Sequence, residues 1–277
     1  MTGGHLVLDQ VGKVYGTGTG TGTVVAVEDC SLEITPGELH VILGPSGCGK
    51  STLLNAVAGF TAITSGSVEL DGRRLCGPEL PMASTGADRV VVFQDSTLFP
   101  WRTVTENLAY GPEVQGRQRR RAARETALER LAAAGLSDIA DRYPGELSTG
   151  MQRRAEILRA LCNEPAVLLL DEPFRGMDAL SRAAMHEALL ETHARSGVTV
   201  LFITHDVEEA VFLGTHVSVM TTRPGRIKTT ITVDLPRPRS LDIVTEPHFR
   251  SLVGEVSEAV RAEARRAFEA GEKEMVG

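Results

Sequence analysis

Gly44-Pro45-Ser46-Gly47-Cys48-Gly49-Lys50-Ser51 carries the spacing G-x-x-x-x-G-K-[ST], set after an apolar run, Leu39–Leu43, and before a helix-forming one, Lys50–Ala58. Residues of these types in this order suit the holding of a chain of phosphates. Glycines let the backbone wrap closely, its N–H groups point inward, and the following helix turns the positive end of its dipole toward the anion. Lys50 is placed to contact β- and γ-phosphates and Ser51 to ligate Mg2+, with Thr52 completing the set that begins at Gly44. In this strand–loop–helix context a Gly-rich turn with an accidental Lys-Ser is the weaker reading.

A second chemical pair, Asp171-Glu172, ends the apolar run Val167-Leu168-Leu169-Leu170. A buried strand would release both carboxylates at its carboxyl end, where ligands of α/β sheets bind. Alone, the pair could equally cap a helix. Beside a phosphate loop it reads as a Walker B element, with Asp171 in the Mg2+ shell and Glu172 free to orient and polarise an attacking water.

The elements that must position these groups follow from the pattern of apolar runs. Residues 166–170 and 198–204 are continuous apolar stretches, and the helix-forming Ala179–Ser196 separates them. Buried parallel strands with crossover helices have this signature. Earlier, 6–8, 24–27, 31–34 and 38–43 predict short strands of an antiparallel β portion, and the alternating Gly/Thr run 16–23 predicts a flexible hairpin loop. Residues 96–161 are Ala- and Arg-rich with helical periodicity, which predicts a helical insertion. After Asp234, Leu235-Pro236-Arg237-Pro238 predicts an extended connector and 255–274 a helix.

Composition excludes several classes. At 277 residues with 42% hydrophobic and 23% charged content, the chain has the make-up of an ordinary globular protein. No apolar run approaches the roughly 18–20 residues of a bilayer-spanning helix, and residues 1–10 lack the basic segment and apolar block of a secretory signal. The net charge of −7 argues against broad nucleic-acid binding. Arg117, Arg119, Arg120, Arg121 and Arg124 form a local basic cluster, read as a solvated helix face. Cys30, Cys48, Cys76 and Cys162 show neither CxxC spacing nor a metal-ligand pattern with the histidines, so reduced thiols are expected. The small size of Cys48 is sufficient reason for its place in the phosphate loop.

Within the helical insertion stands Leu147-Ser148-Thr149-Gly150-Met151-Gln152. With it the sequence, over residues 6–234, resembles the ABC transporter ATPase family, whose signature is LSGGQ. The resemblance implies a P-loop NTPase (RecA-like) α/β core with an N-terminal antiparallel β subdomain and an inserted α-helical subdomain. It divides the chain into an ATPase domain, 1–234, with a helical part at about 96–161, and a helical tail, 235–277. It further implies that Ser148 and Gly150, at the start of a helix expected over 152–161, bind the γ-phosphate of ATP held by a second copy of the chain or a homologous subunit, head to tail. Gln94 matches the glutamine that senses Mg2+ and attacking water, His205 the switch histidine at the γ-phosphate, and Asp178 the aspartate that crosses the dimer interface. Tyr15 lies where the family places an aromatic that stacks on adenine, a contact that reads no base edge. One departure stands out: Thr149 replaces a glycine, and a β-branched residue there disfavours positive φ and adds bulk.

A soluble ABC-type ATPase acting outside transport would be expected to carry tandem nucleotide domains, coiled-coil or zinc insertions, and an exporter subunit is the other alternative. Phe93-Gln94-Asp95-Ser96-Thr97-Leu98-Phe99-Pro100-Trp101 resembles the corresponding loop of importer subunits for nitrate, sulfonate and taurine. The resemblance implies membrane permease partners docked in a groove, an extracytoplasmic solute-binding protein, and a location in the cytoplasm on the inner face of the membrane. Phe99 and Trp101 would either supply contact area to that groove or fill the core of the helical part.

Overall fold

The computed structural model describes residues 3–16, 22–80 and 84–269. The chain opens with two long strands, β1 (Leu6–Gly16) and β2 (Thr23–Ile34), paired antiparallel out to Gly16↔Thr23. The two strand pieces expected at 24–27 and 31–34 are therefore one strand. The polar interruption between them is an irregularity in pairing, with Gln10 and Asp29 at positive φ and register shifts between Leu8 and Lys13. The loop expected at 16–23 falls largely on 17–21, outside the described residues. After β3 (Leu39–Leu43) and α1 (Lys50–Ala58) the chain returns to the first sheet with β4 (Ser65–Leu70) and β5 (Arg73–Cys76), giving the order β2-β1-β4-β5.

The second sheet is built around β3, which pairs parallel with its neighbours and so does not belong to the antiparallel portion in which the short-strand pattern places 38–43. Its members are β6 (Arg89–Val92), β7 (Val167–Asp171), β8 (Thr199–Thr204), β9 (His216–Met220) and β10 (Ile227–Thr232), in the order β10-β9-β3-β8-β7-β6. Only the β9–β10 pair is antiparallel. The central strands are buried on both faces and distribute alternate residues to two cores. Val41, Leu168, Leu170, Val200 and Phe202 face α5 (Ala179–Ser196) and α6 (Val207–Leu213), whereas Ile42, Leu169, Leu201 and Ile203 face α1 and the antiparallel sheet.

Between β6 and β7 lie α2 (Val104–Val114), α3 (Arg120–Ala133) and α4 (Thr149–Cys162), with a core of their own that includes Val104, Leu108, Ala127, Leu131, Ala155 and Leu158. A reciprocal Thr103–Glu106 capping box starts α2. Helix α3 buries Ala123, Ala127 and Leu131; of the expected solvated basic face, Arg119, Arg120 and Arg121 turn to solvent, whereas Arg124 pairs with Glu106 and Arg117 donates to the Asn163 carbonyl at 2.6 Å. Helix α7 (Pro247–Glu269) begins at Pro247, well before the 255 expected; residues 270–274 of that expectation lie outside the described residues. Phe249, Leu252 and Val256 of α7 join the same core as α5 and α6, so this segment is packed onto the parallel sheet.

Candidate nucleotide site

The loop 44–49 leaves the carboxyl end of β3 and runs straight into α1. Gly47 (φ 78°) and Gly49 (φ 95°) occupy the left-handed region that favours glycine, and a Cβ on Gly49 would stand 2.7 Å from the Ala26 carbonyl oxygen. The first turn of α1 holds no acidic residue and no side-chain cap, so its N–H groups and dipole stay available to an anion. Lys50 is 5% exposed, and its Nζ reaches back across the loop to the carbonyls of Gly44 (2.7 Å) and Pro45 (3.0 Å). Cys48 is buried, and burial pushes its thiol above the usual range against the charge of Lys50. It is therefore a small filler of the loop rather than a reactive thiolate.

Ser51 and Asp171, far apart in sequence, meet here: Ser51 Oγ donates to Asp171 Oδ1 at 3.2 Å. Burial raises the Asp171 carboxyl, the hydrogen bond from Ser51 opposes it, and the Glu172 charge adds to the rise while Lys50 lowers it. A hydroxyl and a carboxylate are hard oxygen donors, and one or two such groups beside phosphates are what Mg2+ takes, so the residues fit that ion.

Glu172 sits one residue beyond, with φ 45°, a conformation unusual for a non-glycine residue. Its N–H is held by the Ile203 carbonyl at 3.0 Å, and its side chain, 15% exposed, lies 3.3 Å from His205 Nδ1 and 3.4 Å from Arg175 Nη1. His205 follows β8, β7's neighbour, so the carboxyl ends of two adjacent parallel strands deliver the pair. Asp206 caps α6 by accepting from Glu209 N–H at 3.1 Å and pairs with Arg182.

The signature element starts α4. Ser148 is its N-cap, Oγ accepting from Met151 N–H at 3.3 Å, which leaves the hydroxyl proton free to donate outward. The helix begins at Thr149 rather than at 152. Thr149 is thus a first-turn residue, absent from the positive-φ positions and exposed, so the backbone objection to a threonine there does not apply. Gly150 has open space at its Cβ position. Thr149→Gly should therefore leave ATP turnover within about twofold of the parent, since the change costs only a few tenths of a kcal/mol of helix propensity. A large loss in a phosphate-release assay would instead assign the Thr149 hydroxyl a direct contact.

Gln94 stands on the loop after β6, its side chain exposed and its carbonyl accepting from Arg153. That loop hangs on α4: Arg153 Nη1 donates to the Phe93 carbonyl (2.7 Å) and to Glu156 (2.6 Å), Glu156 accepts from Thr97 N–H, and Arg159 donates to the Thr97 carbonyl at 2.6 Å. These charges, of which Arg153 and Glu156 are buried, were passed over by motif reading and tie the Gln94 loop to the signature helix. Asp178 is the N-cap of α5; the hydrogen bonds from Ser181 hold its carboxyl below the usual range. Tyr15 is half-exposed at the end of β1, with Lys13 Nζ 4.8 Å from its ring centroid. Within the described residues no hydrogen bond or ion pair joins Ser148, Gly150, Asp178 or Tyr15 to the phosphate loop. Phe99 packs edge-on to Tyr110 at 4.9 Å and against the Trp101 ring at 5.6 Å, while Trp101 itself is 71% exposed.

A family model described as "ABC transporter" matches residues 27–175, from β2 to just past Glu172. The chain belongs to the ABC transporter family. Among ABC relatives, the nitrate import ATP-binding protein NrtD of Synechocystis sp. is 40% identical over 96% of this chain and 98% of its own length. The taurine import ATP-binding protein TauB of Rhizobium johnstonii is 47% identical over 78% of this chain and 79% of its own length. The chain spans only 39% of the length of another, the nitrate import ATP-binding protein NrtC of Synechococcus elongatus, at 41% identity. Of solved ABC cassettes, the dimeric post-hydrolysis state of MJ0796 bound to ADP and Pi superposes with a TM-score of 0.68 at 29% identity, covering 83% of this chain and all of that one. The fold is thus that of an ATP-binding cassette, a P-loop α/β core with an antiparallel β portion and a helical insertion.

Proposed function

We propose that this chain binds ATP with Mg2+, hydrolyses it between two head-to-tail cassettes, and so powers import of a small solute of the nitrate, sulfonate or taurine type through separate membrane subunits. The observation that carries the reading is the meeting of Glu172 and His205 at 3.3 Å, at the carboxyl ends of the adjacent strands β7 and β8, beside the pair that Asp171 makes with Ser51 in the first turn of α1.

The backbone N–H groups of 45–51 and Lys50 would hold the β- and γ-phosphates, Lys50 exchanging its carbonyl partners for phosphate oxygens. Mg2+ would neutralise charge on those phosphates, with Ser51, Asp171 and Gln94 as the residues that hold or sense it. Glu172 would orient a water and take up its proton as it attacks, and His205, fixed against Glu172, would donate to the γ-phosphate oxygens. The second wall of each site would come from the partner's Ser148 hydroxyl, Gly150 N–H and first turn of α4, with Asp178 crossing the interface. Tyr15 would stack on adenine with the ring face that Lys13 leaves uncovered.

No helix among the described residues is long and apolar enough to cross a membrane, which supports separate membrane subunits as the path for the solute. Exposed Trp101, and separately the exposed pair of Phe60, just after α1, stacked on Phe93, just after β6, offer contact area for them. An extracytoplasmic solute-binding protein and a place on the inner face of the membrane complete the proposal. The names of NrtD and TauB favour import over export and over soluble work. The test is Mg2+-dependent phosphate release by the purified chain, repeated with the membrane subunits of its transporter in lipid. Release by the chain alone that the membrane subunits then stimulate is expected, and an absence of release in both settings would reject the reading.

A further inference from the structure

Three side chains able to ligate a metal converge at the amino ends of β3 and β9, the opposite end of the sheet from the phosphate loop. Glu38 immediately precedes β3, His40 lies within it, and His216 opens β9. β3 and β9 are parallel neighbours with His40 paired to His216, so both imidazoles stand on one sheet face, and two-residue alternation puts Glu38 there as well. The rings stack with centroids 5.8 Å apart and planes 14° apart. Glu38 Oε1 lies 2.8 Å from His40 Nδ1 and 2.7 Å from His216 Nδ1, and the three ligand atoms all fall within 4.8 Å of one another. Ligands arranged tetrahedrally at about 2.0–2.1 Å from zinc stand about 3.3–3.5 Å apart, so shifts below an ångström or so would seat an ion.

Two further observations distinguish this cluster from an ordinary ion-pair network. His216 Nδ1 is close to the carboxylate but out of line for a hydrogen bond, and the atom, shielded from solvent, has no hydrogen-bond partner. A shielded nitrogen facing a carboxylate without a shared proton is suited to sharing a cation. Behind the cluster, the ligands are oriented by outer partners. His40 Nε2 is 2.8 Å from Ser218 Oγ, itself 2.7 Å from Thr230 Oγ1, and the second oxygen of Glu38 accepts from the Thr35 N–H and hydroxyl, both at 3.0 Å. Such outer hydrogen bonds fix the tautomer and ring plane of a ligating histidine. His40 and Glu38 are buried, whereas the His216 side chain is 35% exposed and leaves a way in for the ion and a water ligand.

We propose that Glu38, His40 and His216 form a binding site for a divalent transition-metal ion, Zn2+ above all. Two imidazoles and one carboxylate are the donor set of zinc rather than of Mg2+ or Ca2+, which take oxygen. The site is distinct from the nucleotide site: three residues of β3, Val41, Ile42 and Leu43, separate His40 from Gly44, four steps or roughly 13 Å of strand. An ion there would brace the two strands at the base of the one that carries the phosphate loop.

The test uses the full chain, stripped with a chelator and kept free of nucleotide so that Ser51 and Asp171 have no phosphate with which to share a metal. It is titrated with Zn2+ against a chromophoric chelator, and with Co2+ for its visible spectrum. One Zn2+ per chain is expected, with a Co2+ spectrum of low-coordinate nitrogen and oxygen ligation and a rise in Tm on adding zinc. His216→Ala removes a part-exposed side chain without touching the β3–β9 backbone pairing. It should keep the circular dichroism of the parent and lose Zn2+ affinity by about 100-fold or more, beyond the effect of losing an outer partner. His248→Ala, which removes an exposed histidine paired with Asp234, should bind as the parent does. Absence of stoichiometric binding by the parent, retention of affinity by His216→Ala, or its loss in His248→Ala would each overturn the proposal.

Discussion

Glu172→Gln is expected to lose ATP hydrolysis by about 100- to 10,000-fold, the range supplied by a positioned general base, while ATP still binds. Gln keeps the volume of Glu and its reach toward His205 and Arg175, so the unusual backbone at φ 45° and the hydrogen bond from Glu172 N–H to Ile203 are undisturbed. What disappears is the negative charge that polarises water and takes its proton. With the γ-phosphate uncleaved, both phosphate loops and both Ser148 elements keep their shared ligand, and the variant should accumulate as an ATP-bound dimer. Single-turnover hydrolysis measured beside nucleotide binding separates the two effects; a hydrolysing Glu172→Gln chain would end the catalytic assignment.

Lys50→Ala should act one step earlier, on binding as well as turnover. The ammonium is buried and its bonds to Gly44 and Pro45 keep it against the loop, poised over the phosphate position. A hydrogen bond between charged groups is worth about 1.5–3 kcal/mol, so ATP affinity should fall about 10- to 100-fold, and turnover further because charge on the phosphates grows as the bond breaks. Fluorescent-nucleotide titration and phosphate release measure the two. Near-parent activity would remove the loop from the mechanism.

The parts of the site that were legible beforehand are those where chemistry and local structure coincide in one short segment. Gly44 to Ser51 specifies its own strand, loop and helix, and Val167 to Glu172 specifies a buried strand with carboxylates at its exit. Ser148 was legible as lying at a helix start, although the helix begins three residues earlier than expected, because N-capping by Ser148 draws Thr149 and Gly150 into the first turn. What stayed hidden depends on pairing between distant segments. The Glu172–His205 contact needs β7 beside β8, and the tether of the Gln94 loop to α4 through Arg153, Glu156 and Arg159 needs the helical insertion folded back on β6. The Glu38–His40–His216 cluster needs β3 beside β9, and β9 itself, with His216 and Ser218 among its five residues, lacks the continuous apolar run that marked β3 and β7. Strands β4, β5 and β10 escaped for a related reason, since their exposed faces carry polar residues that break the apolar run.

That ATP is gripped from two chains at once is tested most directly by light scattering of the Glu172→Gln chain in Mg2+ and ATP, before and after adding Ser148→Arg. Ser148 is exposed at the start of α4, so an arginine there can be accommodated by the lone chain while filling the space a partner's γ-phosphate would occupy, and the first site still binds ATP. The mass of a dimer for Glu172→Gln, falling to that of a monomer for the double variant with ATP still bound, is the expected result; a dimer that persists in the double variant would contradict the head-to-tail sandwich.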